Sequence, residues 1–351
     1  MSMKTNDKIQ IIYLGNCLSK HGFTPTTVEI LGDRLKESFA LRQASDKRNY
    51  ILRMLDMWKV VLFATPSTIL LIDTYSTLAF HFAWTSGLLA RWRRLKYIPI
   101  LHGGNLPNRF KKHPLLSRLY LKNAAAIVSP SGYLKEAVEK KFKLSADVIP
   151  NFIDLSNYPS IKKKMDTPRL LWVRSFHEIY NPTLAIKILR GLKDKGFEDV
   201  TLCMIGPDKD GSLQQVIELA KKMKVEDAIE ITGRLSKGDW INKSAKYNIF
   251  INTTNFDNTP VSVMEAMSLG FPVITTKVGG IPFLFIDEKE GIMVEPDNAS
   301  AFISKIKWLF ENKENAALIS KNAREKATQW DWAIVEKQWI SLVEKISKDH
   351  R

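Results

Sequence analysis

Cysteine is almost absent from this chain of 351 residues, which holds only Cys17 and Cys203. Two thiols supply neither a disulfide framework nor a cluster with the spacing tetrahedral zinc needs, and their scarcity fits a reducing interior. Long apolar runs are missing as well. The opening MSMKTNDKIQIIYLG passes from polar residues straight into a short apolar strand, without the apolar core and cleavage site of a secretory signal. The most apolar region, 60–89, is interrupted by Pro66, Asp73 and His81, so no membrane-spanning helix is expected. A cytoplasmic location follows as the expectation. No G-x-G-x-x-G occurs, and GRLSKGDW carries Asp239 and Trp240 where a phosphate-binding loop needs Lys followed by Ser or Thr. A dinucleotide oxidoreductase is therefore not expected. Nucleic-acid binding is also disfavoured, because no RNP-type aromatic motif or C2H2 pattern appears.

Acidic residues are the minority: 52 Lys plus Arg face 37 Asp plus Glu, a net charge of +15 that favours anionic partners. The segment LLARWRRLKY, 88–97, sets four cations beside Trp92 and Tyr97, the mixture of an interfacial membrane anchor or of a solvated helix end.

Length and a hydrophobic content of 45% allow two domains. Short β-rich runs alternate twice with segments of helical period, the sign of βαβ units and parallel sheets. In the first half the strands are expected at 9–14, 68–73, 98–101, 125–129 and 146–149, with helical stripes Ile51, Leu55, Trp58, Leu62 and Tyr133, Ala137, Lys141. In the second they are expected at 170–173, 200–205, 229–232, 249–252 and 272–275, with helices at 182–192, 212–223 and 260–269. The polar, basic stretch NYPSIKKKMDTPR reads as the linker between them. The fold class is α/β: two doubly wound Rossmann-like domains facing a cleft, with ligands beyond the carboxyl ends of the strands. Informative loops are then 15–24, 102–105, 174–180, 206–211, 255–259 and 276–282.

One acid stands out in NTPVSVMEAMSLGFPVITT: Glu265, in a run otherwise built for burial. Thr259 suits the N-cap of this short helix, Pro260 its first position and Gly270 the residue past its end. Its free amides at Val261 and Ser262, with the positive end of the dipole, suit an anion. Gly279 and Gly280 in KVGGIP allow a backbone to approach one closely. Glu265 needs donors, which either a ribose diol or a Lys or Arg across the core would provide. Asp257, in TTNFDNT, suits sugar hydroxyls or an Asx turn.

Asp257-(seven residues)-Glu265 with AMSLGFPVITTKVGG resembles the E-x7-E region of retaining glycosyltransferases of family four, which have the GT-B fold. The likeness continues through LLWVRSFHEIYNPTLAI, LCMIGPDKDG and ITGRLS, in outline through IDTYSTLAF and LHGGN, and in WDWAIVEKQWISLV at the end. It implies an acceptor-side domain at 1–156, a linker at 157–168, a nucleotide-sugar domain at 169–328 and a final helix, 329–351, that crosses back to the first domain. It further implies that Glu265 binds ribose, that Asp257 binds donor-sugar hydroxyls, and that the backbone from Asn258 through Thr259 and Val261 to Ser262 faces sugar and phosphate. Arg174 would take the diphosphate and His102 would reach the sugar. Gly206 and Gly233 go with the donor side; Gly15, Gly103 and Asn105 go with the acceptor side. The implied activity is a retaining, metal-independent sugar transfer from a nucleotide-diphosphate sugar, with no other cofactor, to a glycan or lipid-linked acceptor in polysaccharide or oligosaccharide synthesis. A contact at the inner face of the membrane accompanies that expectation. A GT-B nucleotide-sugar epimerase or a non-catalytic nucleotide-sugar-binding protein is the alternative.

Three departures accompany the likeness. Asp257 stands for the usual Glu, Val173 for the Gly before the Arg, and Ile179 or Tyr180 for the usual Lys after it, so a second phosphate cation would come from Lys277 or Arg234. The tripeptide Asp208 to Asp210 spells the D-x-D of metal-dependent transferases, but its place after Gly206-Pro207 reads as a solvated turn, and no metal ligand is assigned.

Overall fold

β-branched and aliphatic runs build twelve strands among the described residues, most of them preceded by a helix. The computed structural model describes residues 8–23, 25–161 and 163–349. Residues 1–7 of the opening segment, Thr24 of the first loop, Lys162 of the linker and 350–351 of the final helix lie outside the described residues. Two compact units emerge: Met1–Pro150 with Ala333–Arg351, and Asn151–Trp332.

In the first unit, β1 (Gln10–Leu14), β2 (Ala40–Ala44), β3 (Ile69–Thr74), β4 (Lys96–Leu101), β5 (Val128–Ser129) and β6 (Asp147–Val148) form one sheet in the order β2-β1-β3-β4-β5-β6. In the second, β7 (Arg169–Val173), β8 (Thr201–Ile205), β9 (Ile229–Gly233), β10 (Ile249–Asn252), β11 (Val273–Thr276) and β12 (Ile292–Val294) are ordered β12-β11-β10-β7-β8-β9. All the pairings are parallel. The order reverses between β1 and β3 in one sheet and between β7 and β10 in the other. Loops leaving the carboxyl ends of adjacent strands at such a reversal diverge to opposite faces and open a crevice between them.

Both faces of the second sheet are covered: Leu170 and Trp172 pack on one side, Leu171 on the other. Its inner strands are therefore largely continuous apolar runs, whereas the edge strand β9, IEITG, alternates. Two strands had no counterpart in the sequence reading. β2 is ALRQA, polar at an edge, and β12 is three residues long.

The helical stripes also shift. In the helix Tyr50–Leu62 the residues turned inward are Arg53, Met57, Val60 and Val61, while Ile51, Leu55 and Leu62 of the expected stripe are exposed. In Gly132–Phe142 the buried face is Leu134, Val138 and Phe142, one residue on from the expected set. Both stripes lie on helices as expected; the apolar residues of these helices exceed one face, and only the sheet beneath decides which face is covered. Tyr97 is buried against Tyr120, with ring centroids 5.8 Å apart, so the interfacial pair expected in 88–97 reduces to Trp92.

The first unit ends at Pro150 rather than 156. Ile153 pairs with Asp331, and its amide donates to Trp330 O at 2.9 Å, which ties the start of the linker to the second unit. From Ala333 the final helix belongs with the first unit. There Ser38 Oγ donates to Glu336 Oε1 at 2.6 Å and Lys96 Nζ to Ile346 O at 2.6 Å.

Candidate active site

At the reversal in the second sheet, the loop after β7 begins with Arg174 and the loop after β10 carries Asp257. The two side chains form an ion pair, Nη2 to Oδ2, and each is only 15% exposed. Tyr180 lies under the guanidinium, 4.6 Å from its carbon to the ring centroid, a contact worth about 2 kcal/mol when desolvated. Burial pushes the Arg174 pKa below its ordinary value, with Tyr180 and Glu265 opposing the fall. Arg174 Nε has no hydrogen-bond partner among the described residues.

Asp257 also organises its own loop. Its Oδ1 accepts the Asn258 amide at 2.8 Å and its carbonyl accepts the Gly280 amide at 3.0 Å. Gly279 and Gly280 are needed here for a reason different from the expected anion cradle. A Cβ on either would sit 1.9 Å from the carbonyl oxygen of Asp257 or Asn258, so the pair lets two backbones touch. Gly206 acts likewise beside the Arg174 carbonyl, and its amide donates to Gly233 O at 2.9 Å, which joins three strand ends.

The helix Val261–Ser268 starts one residue later than expected. Pro260 is its N-cap, and the amides of Val263 and Met264 are the first to find an acceptor, at Pro260 O. Val261 and Ser262 therefore hold the free donors of a helix start. The hydroxyls of Thr259 and Ser262 are buried there with no hydrogen-bond partner among the described residues. At the other end Gly270 takes φ +73, and the amides of Gly270 and Phe271 donate to Met267 O and Ala266 O at 3.0 Å each, a Schellman stop.

Glu265 is 7% exposed and has two donors on one oxygen: Tyr158 Oη at 2.7 Å and Lys237 Nζ at 3.0 Å from Oε1. The cation alternative weighed for this acid is thus present. It is not an internal bridge, because the Lys237 side chain is 59% exposed. Burial first, then Glu265, raises the Tyr158 hydroxyl pKa, which keeps the phenol a donor.

The D-x-D carboxylates are engaged as turn acceptors. Asp208 Oδ1 receives the Gly211 amide at 3.1 Å, and Asp210 receives the amides of Glu178 and Ser212 at 2.8 and 3.1 Å. A cavity of about 820 Å³ opens near the amino end of this sheet, between residues 160–161 and 163–166 and residues of the helix Lys313–Ala327; none of the predicted site residues lines it.

In the first unit, His102 follows β4 and places Nε2 2.9 Å from Asp73 Oδ1, at the end of β3. Tyr13 Oη donates to the same oxygen at 2.8 Å. Gly15 is buried; a Cβ there would lie 2.9 Å from Asp73 Oδ2 and 2.8 Å from Val28, so this glycine makes room for the acid instead of presenting a surface. Gly103 passes close to the Ser76 amide, and Asn105 is exposed at the start of the helix Leu106–Lys112.

The family model "Glycosyl transferases group 1" matches residues 156–326, and "Glycosyltransferase Family 4" matches 9–157. The chain is a family 4 glycosyltransferase. An uncharacterized glycosyltransferase of Methanocaldococcus jannaschii is 25% identical over 260 residues, 72% of this chain and 70% of that one. The sulfoquinovosyl transferase of Arabidopsis thaliana is 26% identical over 151 residues, 42% of this chain but only 28% of the plant protein. Among solved structures, Anabaena HepE in complex with UDP-glucose superposes with a TM-score of 0.74 at 16% identity, over 96% of this chain and 99% of that one. The shared fold is GT-B. In this glycosyltransferase, sequence reasoning had missed Tyr158, placed within the linker, and also Lys237 and Asp73. A large aromatic in a polar segment was the available sign for Tyr158; Lys237 carried none.

Proposed function

We propose that this glycosyltransferase binds a nucleotide-diphosphate sugar on its second unit and transfers the sugar with retention, without a metal ion. The observation that carries this is the grouping at one helix start: the Arg174–Asp257 pair, the unpartnered Thr259 and Ser262 hydroxyls, the free amides and the buried Glu265. Anionic oxygens match such donors, and a ribose diol matches a carboxylate held by Tyr158. The UDP-glucose bound by the HepE neighbour supports the choice of ligand. In this reading Asp257 hydrogen-bonds the sugar, and Arg174 with the amides takes the charge that grows on the leaving diphosphate. The departing phosphate is then the base for the acceptor hydroxyl, because Asp257 is already neutralised by Arg174.

The acceptor is proposed to be a glycan or lipid-linked glycan in polysaccharide synthesis, presented at an anionic membrane. Exposed Ile51, Leu52, Leu55 and Phe63 and, on the helix Phe80–Trp92, exposed Trp92 beside Arg91, Arg93 and Arg94 support that contact. Among the described residues no helix is long and apolar enough to cross a membrane.

Calorimetry with a panel of nucleoside diphosphates tests the donor site. Glu265→Ala is expected to weaken the preferred one by roughly ten- to hundredfold, the loss of charged hydrogen bonds. Unchanged affinity would make Glu265 a structural acid. Turnover that persists in excess chelator is the companion expectation, and its loss would refute metal independence.

A further inference from the structure

The lysine that normally follows the phosphate-binding arginine is absent from this chain, and the structure puts the Tyr180 ring beneath Arg174 in that region. An aromatic ring brings no charge to a phosphate. Lys277 and Arg234, the cations considered in its place, are exposed, as is Lys237, and it is contact with Glu265 that singles out Lys237. Lys237 opens the helix Lys237–Ser244, whose N-cap Ser236 accepts the Asp239 amide at 3.2 Å, and extends its ammonium to Glu265 Oε1.

We propose that Lys237 is the second donor-binding cation of this enzyme: it neutralises Glu265 in the free protein and turns onto the phosphates when the ribose takes that carboxylate. The inference rests on the assignment of Glu265 to the ribose. Three observations support it. Glu265 is fixed by burial and by Tyr158, whereas the Lys237 side chain is 59% exposed on a flexible stem, so the base can move while the acid cannot. Arg174 is already matched by Asp257, which leaves a multiply charged diphosphate beside Glu265 short of positive charge. The helix start supplies only about half a charge. Ammonium also tolerates the change of partner, because a point charge with three rotatable donors imposes no fork geometry.

The test compares Lys237→Met, which keeps most of the stem and removes the charge, with the parent protein. Calorimetry is run with the uridine, adenosine and guanosine series, each as nucleoside and diphosphate. The preferred diphosphate is expected to bind at least tenfold more weakly to the variant, its nucleoside equally or more tightly, and Lys237→Arg is expected to recover much of the diphosphate affinity. Equal changes for nucleoside and diphosphate would make Lys237 a latch on Glu265 and overturn the proposal; no change in either would overturn it too. If the parent protein binds none of the diphosphates, the donor-site assignment falls and takes this inference with it. Binding by the parent without a charge-selective loss in the variant removes the inference alone.

Discussion

Arg174 is buried on an ion pair and an aromatic ring, the environment in which an electrostatic stabiliser is held ready rather than recruited. Arg174→Ala is expected to reduce turnover by roughly a hundred- to a thousandfold, the usual effect of losing one such donor. The measurement is nucleotide release with the preferred donor sugar. Preserved turnover would remove Arg174 from the leaving-group role. Asp257 would be left with a buried, unpaired carboxylate in that variant, so donor affinity is expected to fall as well. At this scale the sequence marked Glu265 because a charge inside an apolar run needs a partner, Asp257 by its polar loop and the family 4 likeness, and Arg174 by that likeness alone. It could not say which partner, since Tyr158 precedes Glu265 by 107 positions along the chain.

Elements carry the site through backbone contacts that tolerate little change. Gly279 has φ +54 and no room for a Cβ beside the Asp257 carbonyl, so Gly279→Ala is expected to destabilise the protein by several kcal/mol and to displace the Asp257 loop. Gly238 differs: it is helical, and a Cβ there meets nothing within 4 Å, so Gly238→Ala is expected to stabilise by about 0.5–1 kcal/mol. Urea unfolding of the two variants distinguishes them by sign, and a stable Gly279→Ala protein would contradict the packing described. The glycines in KVGGIP were legible as special positions. The chain-against-chain contact they allow was not, because a glycine records that space is needed and not what fills it.

Across the whole molecule, a net charge of +15 and an exposed apolar face on the helix Tyr50–Leu62 lead to one further expectation. The protein should sediment with vesicles of anionic lipid, less so as salt rises, and hardly with neutral ones. Phe63→Asp combined with Trp92→Asp should abolish sedimentation and leave nucleotide affinity unchanged. Equal binding to neutral vesicles, or none to either, would refute the membrane contact. The apolar stripe of this helix marked a helix, and the structure turns much of that stripe outward. Hydrophobic period identifies a helix, but with apolar residues on more than one side it does not identify the buried side.

The sequence alone determined the alternation of strands and helices, the doubling into two α/β units, the short helix before Gly270 and the residues that match family 4. Each of these is a local property: period, capping and motif spacing are written within a few turns of chain. Tertiary structure alone decided the pairing of Arg174 with Asp257 across the β7 and β10 loops, the approach of Tyr158 and Lys237 to Glu265, and the Asp73 acceptor beneath His102. Those contacts join residues 28 to 107 positions apart, and what brings them together is strand order. Neighbouring parallel strands bring their carboxyl ends together, and no spacing within a single segment records which strands are neighbours.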